Sequence, residues 1–491
     1  MLLRYHRRTG DTKALDHVVL TLDRMAAGGI RDHVGGGFHR YATDREWRVP
    51  HFEKMLYDNA QLAVVYVDAA RTARRDDFAG VATEILDYLA REMTSPEGAL
   101  WSATDADSAA PGDEEVEGYA FTWTPAEIVA AAGPDAPALI AFYNVTAAGQ
   151  LEGRNVLHTT RPIADIAVHL GKSLDVVRVE LARGRRALLA ARALRPQPHR
   201  DDKVLAAWNG LAISAFARGA FALDRDDYAD VARRAAELVL SKLRGADGRL
   251  RRSLRDGRAS HTATLEDYAF VIQGLLDLFE ATTEIRWLDE AIALQAQQDA
   301  HFLDPVGGYY RTADDAERLL VRDKPLDDGA EPSGNAVAIR NLIRLELATE
   351  QPSYRTRAEA ALSAFAAELR TRGAGSPAAL AALDTYHDTA LQIVVVGATD
   401  RAQLAPLFAE VRRAYMPNRL LVGAIQGAQL DGLASKLPAL EGKRVLNGTA
   451  TAFVCEHGIC LRPTSDPAEL ATQLQRTKPL LPDRSPAPLS R

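Results

Sequence analysis

Residues 35–59, GGGFHRYATDREWRVPHFEKMLYDN, hold the groups best suited to chemistry in this chain. His39, Arg40, Tyr41, Asp44, Trp47, His51, Glu53, Lys54, Tyr57 and Asp58 crowd around one short glycine-rich loop. So many polar groups suit a ligand site better than a core, because each one buried without a partner is costly. The run sits where a loop feeds a helix, a place where proteins set chemistry on a rigid scaffold, and it reads as one wall of a pocket. Imidazoles titrate near neutral pH, which makes His39 and His51 candidate proton carriers. A helix beginning after Pro50 would put His51, Lys54 and Asp58 on one face, and Glu53 and Tyr57 on another. The bland alternative is that His51 satisfies loop backbone groups and Asp58 pairs with Lys54 or an arginine.

Similar groups recur later. Asp105 and Asp107 follow Trp101 and precede Tyr119, Phe121 and Trp123. Aromatic faces beside carboxylates suit polyhydroxylated ligands, which stack on rings and hydrogen-bond through their hydroxyls. Trp208–Asn209, Glu266–Asp267–Tyr268, and Glu331 with Ser333 and Asn335 mark three further helix starts. Capping explains part of this pattern. Trp208–Asn209 and Asp267–Tyr268, set inside apolar helices, point instead to a funnel lined by inner-helix polar residues. His33, His39 and His51 include no closely spaced ligand pair, so no metal is expected. The glycine run lacks the lysine–serine of a phosphate loop, and no cofactor is expected. Cys455 and Cys460 are four residues apart rather than the two of a redox motif, and read as ordinary thiols.

Composition bounds the possibilities. Of the 491 residues 47% are hydrophobic and 25% charged, with a formal net charge of -7, so no basic footprint for nucleic acid exists. Aliphatic runs such as 393–396 are far too short to span a bilayer, and no signal peptide is visible. No nucleic-acid or membrane partner is expected, and the compartment suggested is the cytoplasm.

Helical periodicity dominates residues 1 to about 372, giving roughly twelve helices: 1–8, 12–27, 51–73, 76–93, 125–145, 174–194, 204–222, 225–243, 263–283, 286–303, 332–349 and 352–371. Short polar breaks such as RTARRDD separate helices within a pair, as in antiparallel hairpins. Glycine-then-aromatic or glycine-then-aliphatic loops join the pairs, and that recurrence signals a repeat architecture. Six hairpins can close into an all-α (α/α)6 toroid over 1–375. Alternating strand and helix suggest a small α/β appendage over 388–477, and the proline-rich tail 478–491 reads as disordered.

Four motifs, GGIRDHVGGGFHRYATDREWRVPHFEKMLYDNAQLA, DKVLAAWNGL, LEDYAFVIQGLLDLFEAT and EPSGNAVAIRNLIRL, resemble the YyaL / spermatogenesis-associated thioredoxin-like family across nearly the whole chain. The resemblance implies an (α/α)6 toroid related to N-acylglucosamine 2-epimerases and six-hairpin glycosidases. It also implies an N-terminal thioredoxin-like domain that this chain lacks, so redox activity is not carried over. The function expected is that of a carbohydrate-active protein, with a sugar epimerase or isomerase first. There His39 or His51 removes a proton, Glu53, Asp105 or Glu266 returns it, and Arg40 or Lys54 steadies the enolate. A glycoside hydrolase is the alternative, pairing Glu266 or Asp267 with Asp105 or Asp107. The other alternative is a non-enzymatic module serving a thioredoxin-like protein in trans. Arg40, Tyr41, Trp47, Lys54, Tyr57, Asp58, Trp101, Trp208, Asn209, Tyr268, Ser333 and Asn335 are the expected contacts to a sugar-like ligand.

Overall fold

The structure is a computed structural model that describes residues 1–112, 114–456, 458–475 and 479–480. Apart from 479 and 480, the tail expected to be disordered lies outside the described residues.

Alanine-rich segments without internal proline form helices that pair as inner and outer partners. They begin with α1 (Leu2–Thr9) and α2 (Thr12–Ala27), then α3 (Leu56–Ala73) and α4 (Asp76–Tyr88). An insertion follows: α5 (Pro125–Ala132), α6 (Ala136–Phe142), α7 (Ile163–Leu170) and α8 (Leu174–Arg192). The pairing resumes with α9 (Ala206–Leu223) and α10 (Asp226–Leu238), α11 (Leu265–Thr282) and α12 (Ile285–Phe302), and α13 (Gly334–Thr349) with α14 (Pro352–Ala364) and α15 (Ala366–Arg372). The last helix of the ring is α16 (Pro377–His387).

Inner helices α1, α3, α9, α11 and α13 pack each against the next, and α13 packs on α16. Arg4 and Arg8 of α1 then donate to Asp384 of α16 at 3.1 and 2.6 Å, which closes the ring. The architecture is an (α/α)6 toroid. Helices α9 and α11 are buried almost all round, as expected where one face meets outer helices and the other lines the hollow. They touch through glycines: a Cβ on Gly210 would sit 2.4 Å from the Phe270 carbonyl carbon, and one on Gly274 2.6 Å from the Gly210 oxygen. Inner helices turn into outer ones through single left-handed residues, Arg74, Asp224, Thr283 and Glu350.

Several expectations need correction. Helical periodicity over 125–145 and 174–194 suggests a ring hairpin, yet α5–α8 bury Trp123, Ile128, Leu139, Val177 and Leu188 in a core of their own. The ring place is taken by α16, which lies beyond the toroid boundary expected at 375. The helix expected from His51 starts only at Leu56; Pro50–His51 and Lys54–Met55 are short strands.

The C-terminal α/β unit has strand Leu391–Gly397 at its centre, parallel to Arg419–Ile425 and antiparallel to Thr451–Glu456. Helices α17 (Ala405–Arg413), α18 (Ala428–Ala434) and α19 (Pro467–Gln473) flank it. Cys455 and Cys460 face each other across a strand pair and are disulfide-bonded, not two ordinary thiols. Among the described residues no helix is long and apolar enough to cross a membrane.

Candidate functional site

Three asparagines inside the inner helices do the same local job. The Asn59 Oδ1 accepts from the Phe38 N–H at 2.7 Å, and its Nδ2 donates to the Phe38 carbonyl at 3.0 Å. Asn209 clamps Leu100 in the same way at 2.9 and 3.0 Å. Asn335 clamps Tyr309 at 2.8 and 2.9 Å. Each clamp satisfies both backbone groups of the residue that ends a glycine-rich loop, leaving nothing unpaired inside. The fourth such loop is held by Tyr268, whose hydroxyl accepts from the Leu250 N–H at 3.0 Å. Asp267 accepts from the Ala207 N–H at 3.1 Å and the Thr264 N–H at 2.8 Å, in a capping box. Ser333 caps α13 and donates to the Pro325 carbonyl at 3.1 Å. Asn209, Asp267, Tyr268, Ser333 and Asn335 are therefore ties that shape the loops, not ligand contacts.

The glycine-rich loop is anchored by a buried charge cluster. Asp32 accepts from Lys54 Nζ at 2.7 Å and from Arg192 of α8 at 2.6 Å. Burial alone would raise its pKa, but Arg192 and Lys54 hold it well below the usual carboxylate range. Lys54 also donates to the Gly36 carbonyl at 2.9 Å and lies 4.2 Å from the Tyr88 ring centre. Its charge is consumed there, so it is no enolate stabiliser. His39 is buried edge-on to Phe52 and Phe121, with Nδ1 2.8 Å from the Phe52 carbonyl. Burial, aided by the Lys54 charge, pulls its pKa down to about 3. An imidazole that weakly basic is a poor general base at neutral pH.

His51 sits on the rim. Its Nδ1 lies 2.7 Å from Glu117 and its Nε2 3.2 Å from Glu53, which also pairs with Arg40 at 2.9 Å, while Tyr41 stacks on the ring at 5.0 Å. Asp105 and Asp107 are exposed beyond it, and Asp105 accepts from the Ala106 N–H at 2.7 Å. Trp101 is covered by Arg200 at 4.3 Å. Among the described residues, no hydrogen bond or shared cavity joins Asp105 or Asp107 to Glu266 or Asp267.

A different set converges where the inner helices begin. His39, Arg40, Tyr41, Trp47, Asp58 and Gln61 line one cavity of about 500 Å³. Glu331 lies near enough to Asp58, and Glu266 to Glu331, for each to oppose its neighbour's ionisation. Tyr57 meets Trp208 edge-on at 4.8 Å, and the Trp208 Nε1 donates to Glu331 at 2.7 Å. Gln61 donates to the Ala330 carbonyl at 2.8 Å, fixing the Glu331 loop over α3. One oxygen each of Asp58 and Glu266 is buried without a partner among the described residues. Burial, reinforced by Glu331 against the pull of Arg40, pushes the Asp58 carboxyl up to about 7. Burial and nearby Glu266 also raise Glu331, although the Trp208 bond opposes them. Arg311 approaches Glu266 at 3.5 Å. Sequence reasoning counts Glu331 only as a helix-start residue; its place before Pro332 gives no hint that it faces Asp58.

A cavity of about 820 Å³ lies between the ring and the C-terminal unit and contains none of these residues. Among the described residues one group, His301, Asp314 and Asp315, has the spacing of a cation site. It is largely exposed, and Asp315 is already paired with Arg249.

No protein-family model matches the chain. Spermatogenesis-associated protein 20 from Homo sapiens is 39% identical over 498 aligned residues, covering 95% of this chain and 63% of that protein. The Mus musculus protein of the same name is 36% identical, covering 96% and 64%. The chain thus spans just under two thirds of the length of these relatives. Among solved structures, cellobiose 2-epimerase from Bacillus thermoamylovorans B4167 superposes with a TM-score of 0.44 at 8% identity, covering 72% of each chain. The unsaturated glucuronyl hydrolase from Bacillus sp. GL1 gives 0.37 at 12% identity, covering 62% of this chain and 61% of that one. These structural likenesses are loose, whereas the sequence likeness covers nearly all of this chain. The chain is thus similar to spermatogenesis-associated protein 20 along nearly all of its own length and just under two thirds of that protein's.

Proposed function

We propose that the mouth of the toroid binds a sugar-like, polyhydroxylated small molecule and carries out acid–base chemistry on it with carboxyl groups. Asp58 is the proton donor and Glu331 or Glu266 the accompanying carboxylate. The observation that carries this reading is the Asp58 carboxyl, with one buried oxygen unpartnered and a pKa of about 7. Such a group is part protonated at neutral pH, which is what a general acid needs. Trp208 and Tyr57 offer apolar ring surface beside it, suited to a sugar face. Hydrolysis of a glycosidic bond fits this pairing better than histidine-based epimerisation. His39 is buried and neutral, and His51 is occupied between two carboxylates.

A panel of aryl glycosides and oligosaccharides, assayed with the wild type, Asp58→Asn and Glu331→Gln, tests the reading. The expected result is turnover that both substitutions lower by about 10²-fold or more, the usual scale for loss of a general acid or base. Turnover untouched by either substitution would remove Asp58 and Glu331 from the chemistry. Saturable sugar binding without turnover would leave a binding module in place of an enzyme.

A further inference from the structure

Below the mouth the inner helices enclose a hollow of about 570 Å³. From Trp208 at the mouth to Arg218 at its floor is ten residues of α9, or about 15 Å. The floor is densely charged. Asp68 of α3 accepts from Arg71 at 2.6 Å and from Arg218 at 2.8 Å. Arg344 of α13 reaches Asp277 and Glu280 of α11, each at 2.8 Å. Ser214 donates to Asp277 as well, and Arg419 from the C-terminal unit faces Glu280 at 3.6 Å. Arg4 is drawn aside to Asp384 and Asn418. Every carboxylate on this floor is thereby committed.

Arg340 is left over. Among the described residues it has no ion pair and no hydrogen-bond partner, and its Nε is sealed from solvent. It lines both the hollow above and a smaller cavity of about 60 Å³ beneath, and Arg218 lines the same two spaces. Burial and the charges of Arg4, Arg218 and Arg344 pull its pKa down to about 9, with Asp277 opposing. Among the described residues, the five guanidiniums of Arg71, Arg218, Arg340, Arg344 and Arg419 share the three carboxylates of Asp68, Asp277 and Glu280, so the floor carries excess positive charge. Arg340 is half-buried with its Nε sealed, and a partly desolvated cation without a close counter-charge is costly. Guanidinium forks are suited to planar or tetrahedral oxyanions.

We propose that the floor of the hollow is an oxyanion site, in which Arg340, backed by Arg218, holds a phosphate-like group. That group is either free phosphate or the phosphoryl group of a small metabolite. The site is separate from the carboxyl groups at the mouth, and it stands whether or not the mouth is catalytic.

The experiment is calorimetric titration of the full chain, dialysed into low-salt buffer, with inorganic phosphate, a hexose, and the same hexose as its phosphate ester. Thermal unfolding is followed in parallel. Saturable phosphate binding is expected, with a raised Tm and an affinity at least tenfold weaker in Arg340→Gln. Without phosphate, Arg340→Gln should unfold no earlier than the wild type, since it removes an unpaired charge. An ester that binds more tightly than phosphate or the hexose identifies a phosphorylated metabolite; equal binding of ester and phosphate identifies the free ion. The proposal is overturned if phosphate does not bind, or if Arg340→Gln binds it unchanged. It is equally overturned if Arg340→Gln unfolds early in phosphate-free buffer, which would make Arg340 a structural cation.

Discussion

The Trp208 indole donates to Glu331 at 2.7 Å across 123 residues of chain, joining α9 to the loop that enters α13. This bond opposes the burial that raises the Glu331 carboxyl. Trp208→Phe keeps an aromatic ring, though a smaller one, and deletes the donor. The Glu331 pKa should then rise further, as read by carboxyl NMR, and glycoside turnover should shift its pH midpoint with it. An unmoved Glu331 titration would show that the indole only packs.

Asn209→Ala should cost about 2–4 kcal/mol of unfolding free energy, because it strands both the N–H and the carbonyl of Leu100 inside the protein. Urea denaturation measures it. Asn59→Ala and Asn335→Ala should cost similar amounts, since they release Phe38 and Tyr309 in the same way. A loss under about 0.5 kcal/mol, the range of an ordinary surface substitution, would refute the clamp.

Asp58 gives stability a pH dependence of definite sign. Its folded pKa of about 7 lies above the ordinary 3.8, so the native state holds a proton that the unfolded chain has already released. The protonated state is favoured below about pH 4, and stability is lost as pH rises from there through about 7. Asp58→Asn should be more stable than the wild type at pH 8, by up to about 4 kcal/mol, with the gap closing toward pH 4. Denaturation at both pH values decides it. A constant difference would mean that Asp58 is not perturbed.

His33 and His39 act in the opposite sense. Burial, followed by Arg31 for the first and Lys54 for the second, pulls both down to about 3 from 6.5. They stay neutral in the fold while the unfolded chain takes up protons. Their contribution is present above about pH 6.5 and lost as pH falls toward 3. His39→Gln should flatten the acid limb of the stability curve, although it costs packing at every pH. If the acid limbs of variant and wild type superimpose, His39 is protonated in the native state.

Activity, if the mouth is a hydrolase, should fall as pH rises through about 7, when Asp58 loses its proton. Initial rates from pH 5 to 9 measure this limb. Asp58→Asn should abolish it along with most of the rate.

The sequence by itself determined the paired helices, the α/β appendage, the glycine-rich loops and most of the residues around Asp58. Periodicity and turn chemistry are local, and locally they are explicit: RTARRDD breaks one pair, and alternating strand and helix mark the appendage. The four motifs likewise carried the resemblance to known proteins. Which polar residues are spent on structure was decided only in three dimensions. Asn209 looks like a binding residue until Leu100, 109 residues away, is seen to occupy it. Lys54 and His39 look reactive until Asp32, Arg192 and the Phe52–Phe121 pair enclose them. Tertiary packing also turned α5–α8 out of the ring and closed it with α16, because closure depends on Arg4 and Arg8 finding Asp384 from the other end of the toroid. Burial and pairing are long-range properties, and a linear pattern of residue types does not contain them.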